Sequence, residues 1–276
     1  MPNYTTQTQT GRSINSKKTL CGSLNGRFPR DDQNFEEIIE QCKNLVRIEY
    51  PQVSNDAFKN VTGSWYEWLV ILGGKKYNLD NPDSNILIKL PKISQFDCST
   101  LYEEELFRLI KELRNKVMED SNVSLITSNP DFVILKRETL NYSILNLNVV
   151  STDLLNWVDS EYTNCIHVCG FEDIIGYIAA KYSLRPDRRL QIPHEGSLMK
   201  ALYTHLQTRL WVTTPKGIKF YAISKKIGNA DSKALRTVAT HSITTVTSKP
   251  EPAVDGLKSI TTINDCYSFF EEILNP

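Results

Sequence analysis

The chain has 276 residues, of which 40% are hydrophobic and 23% charged, enough apolar material for a sizeable core and an ordinary charge content for a globular protein. Its 32 lysines and arginines balance 32 aspartates and glutamates, which excludes a protein that coats nucleic acid through bulk positive charge but not one with a local positive cleft. No apolar run approaches the roughly 20 residues of a membrane span, and the start Met1-Pro2-Asn3-Tyr4-Thr5-Thr6 lacks the charged-then-apolar order of a signal peptide, so a cytoplasmic protein is expected.

Residues 1 to about 30 are rich in Thr, Ser, Asn and Gly and read as a flexible, loosely held N-terminal arm. From Asp32, the residues Phe35, Ile38, Ile39, Cys42, Leu45 and Val46 recur at helical spacing until Pro51 closes the segment. A second helix is signalled by Thr62 as a cap, then Trp65, Trp68, Leu69 and Leu72, with Gly73-Gly74 as its stop. The two tryptophans, beside Leu69 and Leu72, read as core rather than as platforms for base stacking.

Ile86-Leu87-Ile88 reads as a strand, and Leu101 to Val117 as an amphipathic helix with an acidic start at Glu103-Glu104-Glu105. Val123 to Thr127 and Phe132 to Leu135 read as two strands joined by a turn at Ser128-Asn129, the second opening on Pro130-Asp131. Residues 137 to 172 are weakly patterned apart from a short helix from Ser151 to Val158. Ile174 to Ala180 is a buried strand, and Leu198, Met199, Leu202 and Leu206 mark a helix with Glu195 in its first turn. Strands are then expected at Leu210–Val212, Ile218–Ile223 and Ile243–Val246, and a last helix over about Asp265 to Leu274. With no repeat, low-complexity tract or linker, residues 1–276 read as a single α/β domain. A central mixed sheet is flanked by helices, with a helical N-terminal portion.

The densest charge lies between the buried strand and that helix. Lys181 to Glu195 holds a lysine, three arginines, two acids and a histidine, and charge in such a place must be paired or bind something. Asp131 opens one apolar strand, Lys181 ends another, and Glu195 follows. Hydrolysis of a phosphodiester asks for carboxylates that hold a divalent metal and a cation that stabilises the developing charge. Hard oxygen ligands and a phosphate substrate point to Mg²⁺ rather than zinc. The common form of this nuclease motif has an acid two residues before the lysine, where this chain has Ala179, so Glu195 would have to take its place.

Asp231-Ser-Lys233 fits the short acid-x-lysine pattern, but beside Gly228-Asn229 it reads as a surface turn. Arg185, Asp187 and Arg188 match the needs of a G·C-rich half-site, because arginine pairs with guanine acceptors and aspartate accepts from cytosine. The same three residues could be a surface ion-pair cluster; their start four residues after Lys181 favours DNA. Glu67, taken alone, reads as a solvated helical glutamate. His194, His205 and His241 could act as bases, though structural roles suit them better, since metal-assisted hydrolysis does not require one. Six scattered cysteines read as unpaired packing residues, and Cys165-Ile-His167-Val-Cys169 lacks the second ligand pair of a zinc site.

The run Leu-Arg-Pro-Asp-Arg-Arg-Leu-Gln-x-x-His-Glu-Gly from Leu184 to Gly196 closely resembles type II restriction endonucleases that recognise purine-CCGG-pyrimidine. So do Gly63 to Glu67, Leu125 to Asp131, Ser197 to Arg209, Ile227 to Asp231 and Thr237 to Ile243, together covering about residues 58 to 255. The arm before residue 30 and residues 137 to 172 match poorly.

The resemblance implies a restriction-endonuclease-like core and a Mg²⁺-dependent active site of Asp131, Lys181 and Glu195. Glu67 joins as a further metal-binding acid, against its ordinary reading, and the absence of an acid at Ala179 is a family trait. Arg185, Asp187 and Arg188 would read the CCGG core, with Asn60 near the outer base pair. It further implies cutting before the first cytosine to leave four-base 5′ ends, a homotetramer built as a dimer of dimers, and a DNA methyltransferase in the same system that is not a stable partner. Two other functions fit part of the pattern: a DNA-binding relative that has lost cleavage, and a repair or junction nuclease that cuts by structure. The second would have no need of the Arg-Pro-Asp-Arg segment.

Overall fold

The computed structural model describes residues 3–8, 11–125, 129–141, 149–244 and 250–275. It divides into two compact units, one of Met1–Ser84, Ser143–Asp159 and Ser259–Pro276, the other of Asn85–Tyr142 and Ser160–Lys258. In chain order the first unit opens with β1 (Thr5–Thr8), β2 (Gly11–Ile14), α1 (Ser16–Ser23), α2 (Phe35–Glu49) and α3 (Asn55–Asp80). The second unit follows with β3 (Ile86–Lys89), α4 (Glu104–Ser121) and β4 (Phe132–Leu135). After α5 (Thr152–Ser160) come β5 (Ile174–Lys181), α6 (Pro186–Arg209), β6 (Lys219–Ser224), α7 (Asn229–Leu235), α8 (Thr240–Thr244) and β7 (Gly256–Ser259), and α9 (Ile263–Leu274) ends the chain.

The first unit is helical. In α2 the stripe Phe35, Ile38, Ile39, Cys42 and Val46 is buried, and the Asn34 side chain caps it by accepting the Glu36 N–H at 2.8 Å. The segment expected as a loose arm carries the β1–β2 hairpin, with Thr5 opposite Ile14, and α1, whose Leu20 is fully buried. The next helix starts earlier and ends later than its sequence signals. Ser54, not Thr62, caps α3 through the Ala57 N–H, and Thr62 instead bonds back to the Phe58 carbonyl inside the helix. Gly73 is no stop: a Cβ there would lie 2.6 Å from the Cys266 Cβ, so its bare backbone is what lets α3 and α9 approach. Trp65 and Trp68 are core, as expected.

The second unit is built on a mixed sheet in the order β3-β4-β5-β6-β7. The β3–β4 and β4–β5 pairs are antiparallel, and β5–β6 is parallel, in register from Gly176 opposite Lys219 to Lys181 opposite Ser224. A parallel pair needs a long crossover, and α6 supplies most of it. Tyr177 and Ala179 of β5 share one hydrophobic cluster with Ile192, Met199, Leu202 and Leu206 of α6 and with Phe220 and Ala222 of β6. Lys200 in α6 buries its ammonium, 1% exposed, against Asp255 at 2.9 Å, Glu251 at 3.1 Å and the Pro252 carbonyl at 2.7 Å. That ties the helix to the approach of β7.

Several expected elements are corrected. The helix around Glu195 begins at Pro186, so Glu195 lies well inside it rather than in its first turn. Leu210–Val212 is not a strand: Leu210 caps α6 and Trp211 turns with φ +57°. Ile243 belongs to α8, and Val246 lies outside the described residues. Of the strand expected over Val123–Thr127, Val123 to Leu125 carry no strand and the rest lies outside the described residues. The strand β7, four residues reading Gly-Leu-Lys-Ser, has too little alternation to be seen in the sequence.

Candidate active site

Asp131 stands one residue ahead of β4, and its approach is pinned by Asn129. The Asn129 Oδ1 accepts the Cys98 N–H at 3.1 Å, and its Nδ2 donates to the carbonyls of Pro91 at 2.9 Å and Phe96 at 2.6 Å. The Asp131 carbonyl accepts the Leu90 N–H at 2.9 Å. Because β4 and β5 are antiparallel with Phe132 opposite Ile178, the Asp131 carboxylate falls beside the C-terminal end of β5. There its Oδ2 accepts the Ala180 N–H at 2.6 Å and the Lys181 ammonium at 2.7 Å, and its Oδ1 accepts the same ammonium at 3.1 Å. The two side chains are 16% and 17% exposed, shielded enough for the attraction to outweigh that of a surface pair and open enough to meet a substrate.

Strand periodicity sets the direction of the lysine. Tyr177, Ala179 and Lys181 alternate onto one face of β5, and the first two belong to the layer shared with α6. Ala179, where the common nuclease motif has an acid, is fully buried in that layer. Glu195 is on the buried stripe of α6, with Ile192, Met199 and Leu202, and is 3% exposed. Both the lysine and the glutamate therefore belong to the layer on one side of the sheet. Glu195 also lies near Cys98, whose thiol is pushed up to about 12 by burial first, with the Asp97 and Glu195 carboxylates adding to it.

The helix that carries Glu195 also carries the three candidate base-contacting residues. Arg185 is its N-cap residue, Pro186 opens it, and Asp187 sits in its first turn, where the positive end of the helix dipole favours an acid. Asp187 pairs with Arg185 at 3.3 Å and with the Arg188 Nε at 3.7 Å. With Arg185 63%, Asp187 59% and Arg188 32% exposed, such pairs are weak and can be exchanged for contacts to bases at little cost. Along the same helix the Arg188 Nη1 donates to the Gln191 Oε1 at 2.6 Å, and the Gln191 Nε2 donates to the Glu195 Oε1 at 2.7 Å. Arginine, glutamine and glutamate form a continuous hydrogen-bonded line.

Asp131 and Lys181 are thus brought into direct contact, and Arg185, Asp187, Arg188 and Glu195 are strung along one helix. Glu67 and Asn60 lie on α3 of the first unit, Glu67 half-buried and Asn60 exposed. Neither Asn129 nor Gln191 stands out in the sequence. Gln191 falls in the run that carries the family resemblance, which gives it no role; its spacing, three residues after Arg188 and four before Glu195, puts all three on one helical face.

Asp231, expected in a surface turn, is instead buried in the first turn of α7, accepting the Gly228 N–H at 2.8 Å and the Arg189 Nε at 2.6 Å. Those bonds to Gly228 and Arg189 hold its carboxyl below the usual aspartate range. The histidines take local roles: His205 Nε2 lies 3.2 Å from the Leu109 carbonyl, His241 lies 3.4 Å from Glu251 and burial lowers its pKa, and His194 is exposed. Cys165 and Cys169 are buried free thiols of the core, and burial raises the Cys169 pKa, the opposite of what a metal thiolate needs.

Among the described residues no group of three or more His, Cys, Asp or Glu side chains gathers as a metal-binding cluster. Mg²⁺ does not need one, since it binds through one or two carboxylates and keeps water or substrate oxygens for the rest. Asp131 and Glu195 offer hard oxygen donors of that kind: the Asp131 Oδ1 keeps a lone pair beyond the one it gives to Lys181, while Oδ2 is already shared between Ala180 and Lys181.

A sequence model of the family described as the Cfr10I/Bse634I restriction endonucleases matches residues 12–276, well beyond the stretch from 58 to 255. The type II restriction enzyme Cfr10I from Citrobacter freundii is 42% identical over 251 residues, which cover 87% of this chain and 88% of that protein. The type IIF restriction endonuclease Bse634I, solved with cognate DNA, is similar with a TM-score of 0.89 at 26% identity, over 99% of this chain and 98% of that one. Bse634I in a second structure gives the same TM-score and identity over 100% and 98%. A fold shared over the whole chain and a sequence match that includes both the Asp131 strand and the Glu195 helix have one consequence: the chain belongs to the Cfr10I/Bse634I restriction endonuclease family.

Proposed function

We propose that this restriction endonuclease recognises purine-CCGG-pyrimidine in double-stranded DNA and hydrolyses one phosphodiester in each strand before the first cytosine, leaving four-base 5′ ends. The observation that carries the proposal is the Asp131–Lys181 pair, held by Asn129 and the Ala180 N–H beside the layer to which Glu195 belongs. The solved relative with cognate DNA supports a duplex as the substrate.

Asp131 and Glu195 would hold Mg²⁺, with Glu67 assisting. When bound, the metal polarises the scissile phosphate and lowers the pKa of a water. Lys181, fixed by two bonds to Asp131, brings an ammonium to the same place, where it orients the attacking water and stabilises charge on the phosphate. Arg185, Asp187 and Arg188 contact the edges of the G·C pairs, and Asn60 contacts the outer pair. Two copies give the two-fold symmetry of a CCGG palindrome, and a homotetramer of two such dimers would engage two sites. Both units of the chain serve this one endonuclease. It would act in the cytoplasm beside a methyltransferase that protects the host sites. Among the described residues no helix is long and apolar enough to cross a membrane.

The test separates binding from chemistry. Asp131→Ala and Lys181→Ala should each slow cleavage by at least about a hundredfold, the scale of one lost transition-state stabiliser, while a gel-shift titration with the cognate duplex stays close to wild type. Retained cleavage in either variant would remove that residue from the active site. Specific binding by the wild type with no cleavage in Mg²⁺ would favour an inactive binding relative.

A further inference from the structure

We propose that Gln191 is a positioning residue that couples base recognition by Arg188 to the availability of Glu195. The inference rests on the function proposed above, in which Arg188 contacts guanine and Glu195 holds metal. Gln191 bonds to both at once, at 2.6 Å to Arg188 and 2.7 Å to Glu195. The chemistry of the neighbours fixes which end of the amide faces which. A guanidinium can only donate and a carboxylate can only accept, so the amide oxygen must face Arg188 and the NH₂ must face Glu195. Holding the amide by its oxygen aims its N–H at the glutamate.

That arrangement has two states. In the free protein Arg188 is committed to Gln191 and to the weak pair with Asp187, and one oxygen of Glu195 is occupied by the amide. When Arg188 turns to the two acceptors of a guanine, the amide oxygen loses its charged donor. The side chain is then no longer held from that side, and its N–H can leave the Glu195 oxygen to a metal. A wrong base pair offers Arg188 no such exchange, so Gln191 keeps its grip on Glu195. Gln191 therefore acts against cutting at near-cognate sites, through Glu195, without touching DNA itself. The pair of bonds falls within two turns of one rigid helix, so the coupling needs no movement of α6.

The experiment compares Gln191→Met, which keeps length and apolar bulk but cannot hydrogen-bond, with Gln191→Asn, which keeps the amide but is one methylene too short to span both partners. Each is folded if its thermal melting and its binding to the cognate duplex in Ca²⁺ resemble wild type, and either variant alone suffices. Single-turnover cleavage is measured in Mg²⁺ on the purine-CCGG-pyrimidine duplex and on duplexes with one core base pair changed. The ratio of cognate to near-cognate rate should fall by at least about tenfold, the equivalent of one hydrogen bond to a charged group. The Mg²⁺ concentration for half-maximal rate on the near-cognate duplexes should fall with it. A residue that merely supports the helix would slow both substrates in proportion. An unchanged ratio in a folded variant overturns the coupling and leaves the proposed function standing. A wild type that does not cut the cognate duplex at all would overturn both.

Discussion

Asp131 and Asp231 are the same side chain, each tied to a cation, and their surroundings give them opposite uses. Asp131 stands at a sheet end, partly open, with its cation on a strand that faces the α6 layer. Asp231 spends its oxygens on the Gly228 N–H and on Arg189, inside a helix turn, and so stabilises a fold rather than a reaction. Its carboxyl is held below its usual range by those partners, so it stays ionised in the folded protein at pH values where the unfolded chain, at about 3.9, has taken up a proton. The stabilisation is complete above the unfolded value and is lost as pH falls through the lower folded one. Asp231→Asn should therefore melt at a lower temperature than wild type at pH 7, and the gap should close in melts taken toward pH ~2. A gap of constant size would contradict that role. Asp131, Lys181 and Glu195, the residues proposed for catalysis, stand out in the sequence because phosphate chemistry asks for their types. The sequence hides Asn129 and Gln191, because what an amide does depends on partners that only folding brings to it.

The element that matters most is α6, and its sequence disguises it. Pro193 lacks the N–H that the Arg189 carbonyl would accept and reads as a break, yet the helix runs through it from Pro186 to Arg209. The continuity matters to the proposed function, because it keeps Arg185, Asp187, Arg188, Gln191 and Glu195 at fixed spacing on one body. Gly196 sets how close that body comes to the sheet. A Cβ there would stand 2.2 Å from the Ala253 carbonyl oxygen and 3.0 Å from Phe220, and neither backbone oxygen nor packed ring can yield cheaply. Gly196→Ala should cost about 1–3 kcal/mol by overpacking, read as a lower denaturation midpoint. By displacing Glu195 next to it, the change should slow cleavage more than it weakens DNA binding. Equal losses in binding and cleavage would mean that the helix shifts as a whole without disturbing the glutamate. The stop expected at Gly73-Gly74 in α3 misleads for the same physical reason: glycine there serves a close approach, which one sequence does not distinguish from a turn.

At the scale of the whole molecule the mixed sheet flanked by helices was legible, because Ile86–Ile88, Phe132–Leu135, Ile174–Ala180 and Ile218–Ile223 carry runs of buried residues that only core strands need. The N-terminal hairpin and β7 were not, since strands of four residues with mixed polarity carry too few apolar positions for an alternation to show. The net charge of zero is no obstacle to the proposed function, which needs positive groups only where the duplex lies. The function proposed for the assembled protein makes one direct demand. Plasmids with one and with two purine-CCGG-pyrimidine sites are incubated with the protein, with and without Mg²⁺, and the ends are mapped by sequencing. Metal-dependent breaks before the first cytosine on both strands, forming faster on the two-site plasmid, are the expected result. Breaks at unrelated sequences, or breaks at these sites without a divalent metal, would contradict it.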